Sequence, residues 1–208
     1  MEIASVTVVD GCDVDIKTAK KITDGLPLVL NYGVRSVVSA LDWRLIDSIY
    51  AYDDNNVTGS HTNAIGSRNT TDANNSNAIG SYNKAMAENS SAFGYKNTAN
   101  GDDSSALGFS NIATGSLSSA IGAENIADGN YSSAFGGHNT ANGNLSNAFG
   151  YFNEVNGYTN VAMGSNNNAS GSYVSAIGTF NKIEYGHESN AIGDDNTASG
   201  THANAIGS

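Results

Sequence analysis

The chain holds a single cysteine, Cys12, which excludes an internal disulfide framework and leaves a buried thiol as its expected state. Basic residues are scarce, nine against twenty acids, for a formal net charge of −11. Acids outnumber bases nine to five up to Asp54 and eleven to four afterwards, so no basic stripe exists for phosphate and no nucleic-acid partner is expected. No apolar run approaches the roughly 18 residues that span a bilayer, so no membrane insertion is expected of this segment. Met1-Glu2-Ile3-Ala4 has neither a basic n-region nor a long apolar h-region, so no secretion signal is expected. Charge as a whole is thin, with 14% of residues ionisable, and Gly, Asn, Ser and Ala dominate the later part. Such a composition suits disorder, but disordered low-complexity chains lack regularly placed apolar residues. Here the apolar residues are regular.

The regularity is a 14-residue repeat. Its core, Asn/Ser-Ala-large apolar-Gly, begins at Asn63, Asn77, Ser91, Ser105, Ser119, Ser133 and Asn147. It returns as Val161-Ala162-Met163-Gly164 and then at Ser175, Asn190 and Asn204. Every interval is 14 except that from Ser175 to Asn190, which is 15. A half-turn, Asn55-Asn56-Val57-Thr58-Gly59, enters in register. A fixed period this short predicts a solenoid of similar turns. The domains expected are therefore 1–54, which does not repeat, and 55–208, which does.

Counting from the Asn or Ser before Ala, position 2 is Ala in all eleven copies and position 4 is Gly. Position 3 is always large and apolar, as at Ile121 and Phe149, and position 7 is Asn in every full turn. Position 9 is mostly Ala, with Val155 and Ile183 as larger versions, and position 11 is usually Gly. Fourteen residues hold two short strands and two tight turns, but no helix with its connections. Gly80 and Gly94 at position 4, and the position-11 glycines, suit turns needing positive φ or close backbone approach. Asn83, Asn97 and Asn125 at position 7 are expected to stack on neighbouring turns as an amide ladder. These glycines and asparagines, with Ile121 and Phe149, are the expected structural residues.

Successive side chains of a strand point to opposite faces, yet positions 2 and 3 are both apolar. Strand one should thus be buried on both faces, whereas strand two, mostly polar at positions 8 and 10, has one wet face. A two-sheet coil buries only one face of each strand, so further copies of the chain are the simplest cover for the other. Facing alanines would underfill a sheet spacing of about 10 Å, which favours position 3 inside the coil.

The motif Ser/Asn-Ala-Ile/Phe-Gly-x-x-Asn-x-Ala-x-Gly resembles the head repeat of YadA-like trimeric autotransporter adhesins. It covers about 150 residues in eleven copies. The resemblance implies a left-handed parallel β-roll packed as a homotrimer; the hand comes from the resemblance alone, since ordinary parallel crossovers are right-handed. One departure is Ser or Asn before Ala, where the family often has Val. At about 4.8 Å per turn the rod would be about 50 Å long.

Residues 1–54 read as a small α/β unit. Asp13 can cap a helix carrying Ile16, Ala19 and Ile22 and stopped by Gly25. Pro27, the only proline, leads into Leu28-Val29-Leu30; Val34 to Ala40 forms another strand, and Trp43, Leu45, Ile49 and Ala51 alternate along a third. The series Ile16-Lys17-Thr18-Ala19, Gly25-Leu26-Pro27-Leu28-Val29-Leu30 and a hairpin resembles the N-terminal module of some tailed-phage head-fibre proteins. It implies attachment to a capsid or tail.

Catalysis has no supporting constellation: serine is abundant, but no nucleophile, base and orienting acid assemble from the pattern. The acid pairs Asp53-Asp54, Asp102-Asp103 and Asp194-Asp195 lack calcium-ligand spacing, and His61, His138, His187 and His202 lack partners at metal-ligand spacing. No metal or cofactor is expected. Aromatic residues cluster after the position-4 glycine (Tyr82, Tyr95, Phe109, Tyr151, Phe152, Phe180), and further large side chains stand near the second turn (Leu117, Tyr131, Leu145, Tyr158, Tyr173). Packing between protomers is their plainer role; host glycan or protein contact is the other, with Tyr95, Phe109, Tyr151, Phe152 and His187 as candidate ligand contacts. The extra residue within Ile183 to Ser189 should bulge outward. The expected function is a structural or adhesive trimeric fibre, anchored to a virion through 1–54. The alternative is the head of a bacterial trimeric autotransporter adhesin displayed on the outer surface.

Overall fold

The computed structural model describes residues 55–208, together with the backbone of short strands at 7–8, 14–15 and 48–51. Thr7–Val8 pairs antiparallel with Val14–Asp15, so the backbone after Asp13 is extended where a helix was expected to start. The rest of that expected helix, the strands after Pro27 and Val34, and Cys12 lie outside the described residues.

From Ser48 onward the chain winds into two parallel sheets. A 12-stranded sheet runs from Ser48–Ala51 to Asn204–Gly207, and an 11-stranded sheet runs from Asn56–Val57 to Thr197–Thr201. Each full turn places positions 1–5 in the first sheet and positions 8–9 or 8–12 in the second. Neighbouring turns pair in strict register, Ala106 on Ala120 and Leu107 on Ile121. The fold is a parallel β-solenoid with a 14-residue turn, as its period requires.

Position 2, not position 3, faces the interior. Ala64, Ala78, Ala92, Ala106 and Ala120 are fully buried, while Ile65 and Ile121 lie on the outer face. The sequence argument from underfilling fails for a physical reason. A spacing of about 10 Å belongs to stacked sheets free to set their own separation. Here two residues, such as Tyr82 and Asn83, tie strand one to strand two. The coil is as thin as its alanines, asparagines and serines allow, and a branched side chain at every turn would force it open. Positions 2, 7, 9 and 14 supply the buried side chains. The buried serines at position 14 (Ser76, Ser90, Ser104, Ser118) were not singled out by the periodic reading.

The position-11 glycines open tight turns as expected, the Ser104 N–H donating to Gly101 O at 3.2 Å, but the position-4 glycines do not sit in turns. Gly94 lies within the strand Ser91–Tyr95, at φ +116°, and a Cβ there would meet the Gly108 carbonyl oxygen at 2.2 Å. Close approach between turns is therefore what demands glycine. The corners fall at positions 6 and 13, held in left-handed conformation by residues other than glycine: Tyr82 (φ 58°), Phe152 (φ 54°), Leu117 (φ 58°) and Tyr131 (φ 58°). Left-handed backbone costs such residues about 1–2 kcal/mol each. Backbone bonds between turns hold them there; the Tyr82 N–H donates to Ser67 O at 2.9 Å and that of Lys96 to Ser81 O at 3.0 Å.

The second strand changes along the rod. It spans two residues in each turn up to Thr140–Ala141 and five or six from Glu154–Tyr158 onward, six in Lys182–His187. The change coincides with Asn160 replacing serine at position 14. Its Nδ2 donates to Asn156 O (2.6 Å) and Gly171 O (2.9 Å), and its Oδ1 accepts the Val174 N–H (3.0 Å). Those are the bonds of the position-7 asparagines, and Gly157 adopts a positive φ (104°) as the position-4 glycines do. Residues 154–160 thereby repeat the conformation of 147–153, exposing a seven-residue half-turn beneath the 14-residue period.

Candidate interaction surface

Small and amide side chains, mostly alanine, asparagine and serine, fill the interior, so the candidate contacts lie outside the coil. Four surfaces exist: the face of the large sheet (positions 1, 3 and 5), the face of the small sheet (8 and 10), and two edges built by the left-handed corners at positions 6 and 13. A left-handed corner turns its side chain outward, and in-register stacking repeats that choice at each turn. Columns of exposed side chains follow.

The large-sheet face carries the position-3 column, Ile65 to Ile206, of which Phe135 and Phe149 stack at 5.4 Å between ring centroids. Ile177 and Ile192 are each 36% exposed and Met163 47%. A continuous apolar column of this kind is uncovered in one chain.

The edge at positions 5 and 6 has two aromatic groups. Tyr82 meets Tyr95 edge to face at 5.8 Å, and Tyr95 stacks on Phe109 at 5.7 Å with planes 11° apart. Further along, the His138 ring lies parallel to Phe152 at 4.5 Å, with Tyr151 edge-on to both. His138 Nδ1 is 3.1 Å from a Glu124 carboxylate oxygen on the preceding turn. At the opposite edge, positions 12 and 13 align Tyr158, Tyr173, His187 and His202 at centroid spacings of 5.8, 6.0 and 6.4 Å. Glu188 lies against His202 Nε2 at 3.0 Å.

The five candidate contacts thus form three groups rather than one site. Tyr95 and Phe109 stand together, Tyr151 and Phe152 stand further along the same edge, and His187 is on the other edge. Residues that sequence reasoning passed over as ligand contacts are His138, which joins Tyr151 and Phe152, and the cations Arg68 and Lys96, which lie 5.2 Å from the ring centroids of Tyr82 and Tyr95. Their shared signal was the spacing: each stands at a corner position, 14 or fewer residues from its partner.

The extra residue of the 15-residue turn is Tyr185. Register shifts between Glu184 and His187, and Tyr185 is 92% exposed. The bulge coincides with the two bulkiest neighbouring interior side chains, Val174 and Ile183, which approach Gly186 so closely that a Cβ there would lie 2.9 and 2.6 Å from them. Among the described residues no three His, Cys, Asp or Glu side chains converge, and no helix is long and apolar enough to cross a membrane.

The molecule is a parallel β-solenoid whose features of interest are columns of surface side chains. The family described as YadA head domain repeat (2 copies) matches residues 87–111, 113–139 and 161–181, and no curated protein matches the chain. Its turns are YadA-like head repeats. All three matched segments lie in the coil, so they lend nothing to the likeness of residues 1–54 to phage head-fibre modules.

Proposed function

We propose that the chain is the rod of a homotrimeric adhesive fibre on a bacterial outer surface, with three left-handed rolls packed through their large-sheet faces. The observation that carries this reading is the position-3 column. Eleven large apolar side chains line one face, and in a single chain that face stays open to water. Covering it with the same face of two further copies buries it without any other partner. The YadA head-repeat match supports the reading, since head domains of that family are parts of trimeric adhesins. Residues 1–54 are the attachment segment in this scheme; fastening to a capsid or tail is its virion form and rests on the sequence resemblance.

Light scattering on the full chain checks the assembly: the expected mass is three times the 21.4 kDa of one chain. A stable folded monomer would overturn the packing argument. Immunogold labelling of intact cells and of purified particles separates the two surfaces, with label on the bacterial envelope expected.

A further inference from the structure

Charge is distributed unevenly over the rod. Residues 55–208 contain four basic side chains, and three of them, Arg68, Lys84 and Lys96, occupy positions 6, 8 and 6 of three consecutive turns. None of the eleven acids of residues 55–208 falls at positions 5 to 8 of the first four turns. All three cations are exposed, on a chain whose net charge is −11. Through this strip runs the first aromatic group. The Arg68 guanidinium donates to the Tyr82 hydroxyl, Tyr82 meets Tyr95, Tyr95 stacks on Phe109, and the Lys96 ammonium lies 5.2 Å from the Tyr95 centroid.

We propose that this edge binds a linear carboxylated polysaccharide of the alternating uronic acid–hexosamine type. Three physical features select that chemistry. The sign of the charge calls for an anion, and the aromatic rings offer apolar surface to sugar C–H groups. The spacing then selects among anions. Arg68 and Lys96 are two turns apart, about 10 Å at a strand spacing near 4.8 Å. A chain with one carboxylate per disaccharide presents charge at comparable intervals. Nucleic acid is far denser, about one charge per 3.4 Å along each strand of a duplex. The strip also repeats by the turn, as a linear glycan repeats by the sugar.

The test uses the full chain and a fluorescent hyaluronan decasaccharide in an anisotropy titration, with an uncharged chitin oligosaccharide, oligo(dT) and polyglutamate as the other arms. Binding to hyaluronan alone is expected, weakening as sodium chloride is raised. Lys96→Glu should weaken it about tenfold, and Tyr95→Ala by a similar factor. Lys182→Glu, which removes the fourth cation elsewhere on the rod, should leave it unchanged. Circular dichroism and light scattering on each variant accompany the titration. The proposal is overturned if hyaluronan does not bind, if oligo(dT) or polyglutamate binds as well, or if Lys182→Glu weakens binding as much as Lys96→Glu. It is also overturned if Lys96→Glu changes the mass of the assembly, because the strip would then lie between protomers. A monomer that still binds hyaluronan would remove the trimer and leave this site standing.

Discussion

The side-chain oxygen of Asn83 accepts two hydrogen bonds from Asn97 on the next turn, one from its backbone N–H and one from its Nδ2, both at 3.0 Å. Asn97 Nδ2 donates as well to Phe93 O (2.9 Å) and to Gly108 O (2.7 Å), one turn further on. Each amide thus ties together three turns, and every rung depends on its neighbours.

Because those bonds are buried and fully used, the ladder tolerates no carboxylate. Asn125→Asp keeps the shape but loses the Nδ2 donor to Ile121 O, Gly136 O and Asn111 Oδ1. It turns an anion toward carbonyl oxygens inside the coil. The expected loss is about 3–5 kcal/mol by urea denaturation at neutral pH. A loss below about 1 kcal/mol would show that the ladder carries little of the stability.

Two adjacent residues of one strand should respond in opposite ways. Ala120→Leu adds three carbons to an interior with no room, and the expected result is loss of the β signal in circular dichroism. Ile121→Asp changes the outer face of the large sheet. With position 3 outside the coil, the roll should still form while the light-scattering mass falls toward that of one chain.

At position 4 the constraint is contact between backbones. Gly94→Ala sets a methyl group against the Gly108 carbonyl oxygen and strains the left-handed φ. A loss of order 3 kcal/mol is expected from thermal or urea unfolding.

Corner residues behave conversely, since their backbone is strained already. Tyr131→Gly removes the left-handed cost at position 13 and a half-exposed ring. Unfolding free energy should stay level or rise by up to about 1 kcal/mol. A loss beyond about 2 kcal/mol would instead make the ring a packing element, for example between protomers.

The bulge and the large interior residues are expected to be coupled. Deleting Tyr185 restores a 14-residue turn but leaves Ile183 and Val174 crowding Gly186. Deletion combined with Ile183→Ala should be more stable than the sum of the two changes implies, by about 1 kcal/mol in a double-mutant cycle. Additive effects would mean that the insertion and the interior vary independently.

What was legible in the sequence was whatever repeats by the turn. The period gave two strands per turn, and invariant Asn at position 7 gave the ladder from Asn69 to Asn196. The interval of 15 located the bulge near Tyr185. Charge segregation at Arg68, Lys84 and Lys96 was present in the sequence too, but it is visible only once positions 6 and 8 are known to flank the buried position-7 asparagine at one corner of the coil.

The periodic sequence by itself determined that residues 55–208 coil into similar turns, because a 14-residue repeat of Ala, Gly and Asn has room for two short strands but not for a helix with its connections. The tertiary structure alone decided which way strand one faces. Alternation of side chains says that positions 2 and 3 oppose each other, but only the width of the closed turn chooses between them. Two-residue links draw the sheets together until alanine fills the gap, and the isoleucine and phenylalanine column is left outside, where another chain has to cover it.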